Sequence, residues 1–544
     1  MCDNSRLIVR IDGIDFKLEA RVLLRLFFDE TCFCIVNDEA EPDGIYSHVV
    51  KENHKTGFSL LHVKLIRKDC EWSYSADYYN EVKNLHLLDS RVPLYSSKRT
   101  VTCDDLNKPG GVILRSQKIL LGKCIVDVLS KVTGKKLPYG SLTGIRPVKL
   151  AMQCLDHGMD KDQTKSFLSE TTGMSGEKAG LLYDIAVVER PYIDTCSKPL
   201  YQGQHKTLNP KGKGVDLQGL SPYVHLYIGI PFCASRCLYC SFTSYPINRY
   251  ASLIPDFLSA LERELLHAFN IIKNNGLRLR SIYMGGGTPT ALDNYSLQAV
   301  LSKVNEIFTP AGIEFTVEAG RPDTITSEKL KSMKDEGVTR ISINPQTMNA
   351  STLKTIGRNH SPQQIINKYY MARDMGFNNI NMDIIAGLPG EDNELFCNTL
   401  IEIERMSPDS LTVHTMALKR ASILHDDIKN YEITADRVVE KMIEDARISA
   451  QNMGMRPYYL YRQKNILANL ENTGYSKPGY ECLYNIHTME ECESIIATGP
   501  GAISKFVWPL NKKIERTCNV KEVAQYIERV DEMLKRKDAV IISI

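Results

Sequence analysis

From Tyr223 onward the chain alternates between two hydrophobic periods. Short runs of β-branched, aliphatic and aromatic residues occur at 223–230 (YVHLYIGI), 281–287 (SIYMGGG), 314–320 (EFTVEAG), 340–346 (RISINPQ), 379–388 (NINMDIIAGL) and 410–417 (SLTVHTMA). Between them lie stretches of helical period, as where Ile254, Phe257, Leu258, Leu261, Leu265 and Phe269 recur at i, i+3, i+4, i+7 spacing. Another stretch opens at Ser361-Pro362, an N-cap followed by a first-turn proline, and stops at Gly376. The last of six helices is expected over about 434–453. Six strands separated by helices predict parallel βαβ units and an α/β fold, a partial TIM-like (β/α)6 barrel. In such a barrel the chemistry lies at the C-terminal ends of the strands.

The N-terminal part has another pattern. Residues 6–70 offer strand-like runs (LIVRI, FCIV, FSLLHVKLI), and 112–190 read as several helices, so an α+β domain is expected over 1–195. A polar stretch rich in Gly and Lys over 196–222 reads as a linker. The barrel is then assigned to 223–430, and a small α/β domain covering the substrate to 431–544.

Composition narrows the class. The 67 Lys and Arg residues nearly balance 65 Asp and Glu, a formal charge of +2 that gives no support for bulk attraction to nucleic acid or membrane. Apolar residues make up 43% and charged ones 24%, as in soluble globular proteins. No stretch approaches the ~18 consecutive apolar residues of a membrane span. The opening "MCDNSRLIVRIDGIDF" carries charges where an export signal has its apolar core. The 15 cysteines are mostly scattered singly, which suits reduced thiols in the cytoplasm.

One group of cysteines is not scattered. Cys233, Cys237 and Cys240 stand at C-x3-C-x2-C directly after the first barrel strand. A zinc site completed by a distant His or Cys is the plainer reading, although structural zinc motifs come as two spaced pairs. Soft thiolates equally suit a 4Fe-4S cluster, in which three ligands leave one iron free to chelate a small molecule.

With the rest of the chain, "LYIGIPFCASRCLYC" resembles the signature of the radical S-adenosylmethionine (SAM) superfamily, and more closely that of the oxygen-independent coproporphyrinogen III oxidase group and its HemZ-type proteins. The resemblance implies a 4Fe-4S cluster on the three cysteines and SAM as cofactor. By the same resemblance Tyr227 lies beside the cofactor. "GGGTPT", with Gly286, Gly287 and Thr288, meets its methionine part, and glycines there let backbone polar groups approach closely. Glu318, Gln346, Arg358 and Asp383 correspond to cofactor-binding positions, each near an expected strand end, and Ala417 and Ile503 to weaker, shape-defining ones. Taken singly, each charged residue reads as readily as a surface or capping group.

The implied activity is an oxidoreductase of haem biosynthesis. SAM is cleaved reductively, and a 5′-deoxyadenosyl radical takes a hydrogen from a propionate of coproporphyrinogen III. Loss of carbon dioxide and an electron leaves a vinyl group. The partners implied are a porphyrinogen or other tetrapyrrole and a low-potential electron donor such as flavodoxin or ferredoxin. Two features separate this chain from the decarboxylating branch and from the haem-chaperone branch. Phe242 stands where decarboxylases carry a fourth cysteine, as in chaperones, yet "YSKPGYECLYNIHTME" lacks the chaperones' His-Asn pair, having Tyr484-Asn485 there and His487 just beyond. A haem-binding chaperone, or a radical enzyme acting on haem such as a methyltransferase, is the alternative. His487 reads either as a haem ligand or as a hydrogen-bonded histidine, and His225 and His414 as pocket or interior residues. "PYYLYRQKNIL" reads either as a tetrapyrrole-binding surface, with Arg462 and Lys464 for propionates, or as an amphipathic strand.

Overall fold

The computed structural model describes residues 7–37, 58–82, 91–107, 113, 116–144, 146–193, 220–242, 244–509 and 513–542. The chain divides into two compact units, Met1–Val187 and Val188–Ile544. All but the last residues of the expected linker 196–222 lie outside the described residues.

In the first unit, β1 (Leu7–Asp12), β2 (Phe33–Asn37), β3 (Phe58–Lys68), β4 (Glu71–Val82) and β5 (Tyr95–Thr102) form one sheet in the order β2-β1-β3-β4-β5. Alternation places Leu7, Val9 and Ile11 on one face with Leu61, Val63, Tyr74 and Ala76. That face is covered by α1 (Lys17–Leu24) and α2 (Gln117–Thr133). The helices α3 (Val148–Asp156), α4 (Lys161–Thr172) and α5 (Gly176–Ile193) follow. Strand-like runs in the sequence pointed to β1, β2 and β3. The sheet adds β4 and β5, whose outward Ser, Asp and Lys positions dilute their hydropathy.

In the second unit the six expected strands are present as β6 (Tyr223–Ile230), β7 (Arg278–Gly286), β8 (Glu314–Gly320), β9 (Arg340–Ile343), β10 (Ile380–Ala386) and β11 (Ser410–Thr415), all parallel. Between and after them run α6 (Ile254–Asn274), α7 (Asn294–Phe308), α8 (Ser327–Asp335), α9 (Pro362–Asp374), α10 (Asn393–Met406) and α11 (Asp436–Asn452). Ser361 caps α9, as its sequence predicts, and Gln364 completes a capping box with it.

The C-terminal segment does not build a sheet of its own. Its strands β12 (Arg456–Tyr461) and β13 (Asn472–Ser476) extend the sheet antiparallel beyond β11. On the other flank β14 (Ser494–Thr498) pairs in parallel with β6 and is followed by β15 (Ile503–Trp508) and β16 (Lys513–Cys518). The whole order is β12-β13-β11-β10-β9-β8-β7-β6-β14-β15-β16. Two further helices are α12 (Leu483–Glu490) and α13 (Val530–Ile542).

The two-residue period of these strands sorts the site from the core. Val224, Leu226, Ile228 and Ile230 of β6, Ile282 and Met284 of β7, Phe315 and Val317 of β8, and Met382 and Ile384 of β10 join the main hydrophobic core. The alternate positions carry His225, Tyr227 and Gly229 on β6, in register with Ser281, Tyr283 and Gly285 on β7. Glu318 on β8, Asp383 on β10 and His414 on β11 belong to the same phase. One face is therefore apolar and helix-covered, and the other a polar lumen.

Candidate metal and cofactor site

The cysteine loop leaves β6 at its C-terminal end, and short side-chain and backbone contacts hold it. Ser235 Oγ donates to Gly357 O (3.2 Å), Leu238 N to Ile356 O (3.1 Å) and Leu424 N to Leu238 O (2.9 Å). Cys233 Sγ lies 3.6 Å from Thr288 Oγ1, and Cys237 Sγ 3.8 Å from Arg321 Nη1. Burial and the neighbouring sulfurs push the Cys233 thiol up to about 11 and raise Cys240 as well. A buried cluster of thiols costs little while protonated, and a cation would draw off their protons on binding.

The glycine segment packs against this loop by its backbone. Gly287 N donates to Ile230 O and Thr288 N to Phe232 O, both at 2.7 Å. A Cβ on Gly287 would stand 2.5 Å from Phe232 O and 3.0 Å from Cys233 Sγ, so no other residue fits there unmoved. Gly286 has φ 109° and faces the Tyr227 hydroxyl.

Around the lumen, Glu318 Oε1 accepts from Tyr283 Oη at 2.6 Å. Burial, only partly offset by that hydrogen bond, raises the Glu318 carboxyl to about 7. Asp383 accepts from Asn381 Nδ2 (2.7 Å) and lies 3.7 Å from His414 Nε2. Burial pushes its carboxyl up, but His414 and Asn381 outweigh burial and leave it below the usual range. Gln346 is buried at φ 66°, a left-handed position unusual for its residue type, and is fixed by Gln346 N to Asp383 O (2.9 Å) and Ile385 N to Gln346 O (3.0 Å). Arg358 Nη1 donates to Asn344 O (2.8 Å) and Nη2 to the Tyr239 hydroxyl (3.3 Å). Its Nε is buried with no hydrogen-bond partner among the described residues.

Thus Cys233, Cys237, Cys240, Tyr227, Gly286, Gly287, Thr288 and Arg358 lie on contacting segments at the strand ends, and Glu318, Gln346 and Asp383 line the adjoining β8–β10 side. Ala417 follows β11 and bridges to Ile466. Ile503 stands apart, 47% exposed at the start of β15. Three residues went unread in the sequence: Tyr283, Tyr239 and Arg321. Arg321 donates to Ser235 O (3.1 Å) and Oγ (2.9 Å) while paired with Asp323, so a guanidinium braces the cysteine loop.

Two pairs of alternatives left open by the sequence are narrowed. Arg462 is 4% exposed and donates to the carbonyls of Leu470 and Asn469, so it is spent on its own turn. Tyr458 and Tyr459 are buried in β12, which makes "PYYLY" a sheet strand. His487 is fully buried, with Nδ1 3.1 Å from Cys492 Sγ. Burial and the neighbouring His225 drop its imidazole to about 3.

The donor set fits an iron–sulfur cluster with a chelating ligand. Three clustered thiols are backed by a glycine cradle that a Cβ would fill, and a buried guanidinium nitrogen lacks a partner beside them.

The radical SAM superfamily model matches residues 227–402. The chain is 40% identical over 414 residues to the oxygen-independent coproporphyrinogen-III oxidase-like protein HemZ of Bacillus subtilis, covering 76% of this chain and 78% of that one. It is 28% identical over 310 residues to the heme chaperone HemW of Bacillus subtilis, covering 56% and 76%. Among solved structures it is similar to coproporphyrinogen III oxidase (HemN) from Escherichia coli, with 24% identity, a TM-score of 0.47, and coverage of 57% of this chain and 70% of that one. Among the described residues no helix is long and apolar enough to cross a membrane.

Proposed function

The chain belongs to the radical SAM superfamily and, within it, to the family of HemZ-type, oxygen-independent coproporphyrinogen-III oxidase-like proteins, and on that premise we propose that it converts propionate side chains of coproporphyrinogen III to vinyl groups by oxidative decarboxylation. The observation that carries this reading is the meeting of three thiols, a glycine cradle and an unpartnered buried Arg358 Nε at one end of a polar lumen.

Cys233, Cys237 and Cys240 would hold the 4Fe-4S cluster that the family implies. When bound, cluster and SAM supply a carbon-centred radical able to take a hydrogen atom from a substrate side chain. The chain's own residues do the rest. Gly286, Gly287 and Thr288 offer backbone groups at close range, and Arg358 offers a guanidinium suited to a carboxylate. Glu318, oriented by Tyr283, accepts from an ammonium once ionised, and Asp383, already ionised, accepts from hydroxyls. Tyr227 and Tyr283 stack with ring centroids 6.3 Å apart and narrow the lumen against water. Residues 431–544 would cover the substrate, and a flavodoxin or ferredoxin would deliver the electron.

Anaerobic incubation with a low-potential reductant, SAM and coproporphyrinogen III tests this. Harderoporphyrinogen or protoporphyrinogen is expected. Cleavage of SAM without either product sinks the decarboxylase reading and points to another radical reaction, such as one on haem.

A second reading, a haem-binding chaperone without decarboxylation, draws support from Phe242, which occupies the fourth-cysteine position and is 72% exposed. Tight haem binding without turnover in the same assay would favour it.

A further inference from the structure

A second group of ligand-type side chains lies on the lumen phase of β6, far from the cysteine loop. His225 precedes the end of the strand at Ile230 by five residues, about 16 Å at the usual strand rise. Its Nε2 is 2.8 Å from Glu493 Oε2, and the same carboxylate oxygen is 3.9 Å from His487 Nδ1. The donor atoms of all three residues lie within 4.8 Å of one another, and all three residues are buried. Cys492 Sγ lies 3.1 Å from His487 Nδ1 but is not part of that group.

We propose that His225, His487 and Glu493 form a divalent-cation site, of the kind that takes Zn2+, which pins α12 and the start of β14 to the first two barrel strands.

Three features of the geometry support it. Donors around a tetrahedral Zn2+ at about 2.0–2.2 Å stand roughly 3.3–3.6 Å apart, and the separations of 2.8 and 3.9 Å straddle that range. The set is two imidazoles and a carboxylate, which suits zinc or cobalt and disfavours magnesium and calcium. Two of the ligands are oriented on their far side as outer partners orient ligands: His225 Nδ1 is 2.6 Å from Ser281 Oγ, and Glu493 Oε1 is 3.0 Å from Arg280 Nη1, leaving Oε2 toward the imidazoles.

Arg280 is the group that must adjust. Its Nη1 lies 3.5 Å from His487 Nε2, and ligation through Nδ1 leaves a proton on that Nε2. The guanidinium already stacks on Tyr223 at 3.8 Å from its ring centroid and is paired with Glu493, so it has somewhere to stay when it turns from the imidazole.

The test uses the full chain with Cys233, Cys237 and Cys240 all replaced by alanine, which removes the iron ligands and makes the outcome independent of the cluster. Metal analysis after loading with Zn2+ alone is expected to give about one equivalent per chain, and Co2+ alone a tetrahedral visible spectrum without a thiolate charge-transfer band. Adding His487→Ala should abolish stoichiometric binding. Adding Cys492→Ser, a small change outside the ligand group, should leave the stoichiometry and the visible bands as they were. Absence of a stoichiometric metal, or binding that survives His487→Ala unchanged, overturns the site. A thiolate charge-transfer band that is lost in Cys492→Ser overturns the three-ligand assignment.

Discussion

Glu264 and Glu318 are both carboxylates withdrawn from solvent, one on α6 against the C-terminal helices and one in the lumen, and their surroundings differ in kind. Glu264 Oε2 accepts from Gly499 N (2.7 Å) and the Tyr526 hydroxyl (2.5 Å), and Oε1 from Asn519 Nδ2 (2.7 Å) and Lys537 Nζ (2.5 Å). With Lys537 itself 1% exposed, charge and hydrogen-bonding capacity are met inside the fold. Glu318 has Tyr283 and the Gly286 backbone, no cation in contact among the described residues, and a carboxyl raised to about 7. The first arrangement holds segments together. The second keeps a group short of partners at the place where a ligand's ammonium would supply one, which is the signature of a site that is finished by binding.

The sharpest break between structure and site should come at the cysteines. Cys237→Ala is expected to lose the reconstituted cluster completely, read as loss of iron and of the broad absorption at roughly 400 nm, while far-UV circular dichroism stays as in the parent. Recovery of zinc and no iron from the anaerobically reconstituted parent would end the iron–sulfur reading.

Next in size is the α6 anchor. Glu264→Ala strands Lys537 in the core, and the cost should be on the order of 3–5 kcal/mol, measured by chemical denaturation. Iron content per folded molecule should not change. A loss below about 1 kcal/mol would mean that this network is not the clamp its geometry describes.

Glu318→Gln should do the opposite. Binding of SAM, followed by calorimetry, should weaken about ten- to a hundredfold, as for a lost hydrogen bond to a charged group. Stability should hold or rise. The carboxyl is protonated in the folded chain up to about 7 but only to about 4.5 when unfolded. Its stabilising contribution is therefore full below about 4.5 and is lost as pH rises through about 7. Denaturation midpoints of the cluster-free chain should fall over that interval, and Glu318→Gln should flatten the fall. An equal slope in both would assign it to other groups.

The smallest effect is expected at Phe242. Phe242→Cys should leave stability within about 0.5 kcal/mol and the iron content as it was, because this exposed side chain holds nothing together. A gain of iron would show that a fourth thiol there reaches the cluster.

Much of this was legible in the chain because the signals are local. The phase of β6, β8 and β11 follows from their two-residue alternation, and the ends of α9 from Ser361-Pro362 and Gly376. The three cysteines stand out by their spacing, and the glycine segment by its resemblance to the family's. In the first unit, β4 was harder: Trp72, Tyr74, Ala76 and Tyr78 do alternate, but Ser73, Ser75 and Asp77 between them lower the mean hydropathy of the stretch. What sequence could not supply depends on register between distant segments. Tyr283 becomes the partner of Glu318 only when β7 lies beside β8, and Arg321 meets Ser235 across 86 positions. The meeting of His225 with Glu493 is not visible until β14 is placed next to β6.

That last pairing has a consequence for how the protein is made. His225 and Glu493 are 268 positions apart. At about 5–20 residues per second, a ribosome needs roughly a quarter of a minute to a minute to deliver β14 after β6 has emerged. Throughout that interval the outer edge of β6 has open backbone groups on one side, a template for pairing with the wrong chain. The nascent second unit is thus most vulnerable to aggregation late in synthesis, and a truncation just before residue 494 should yield insoluble chain where one after residue 542 does not.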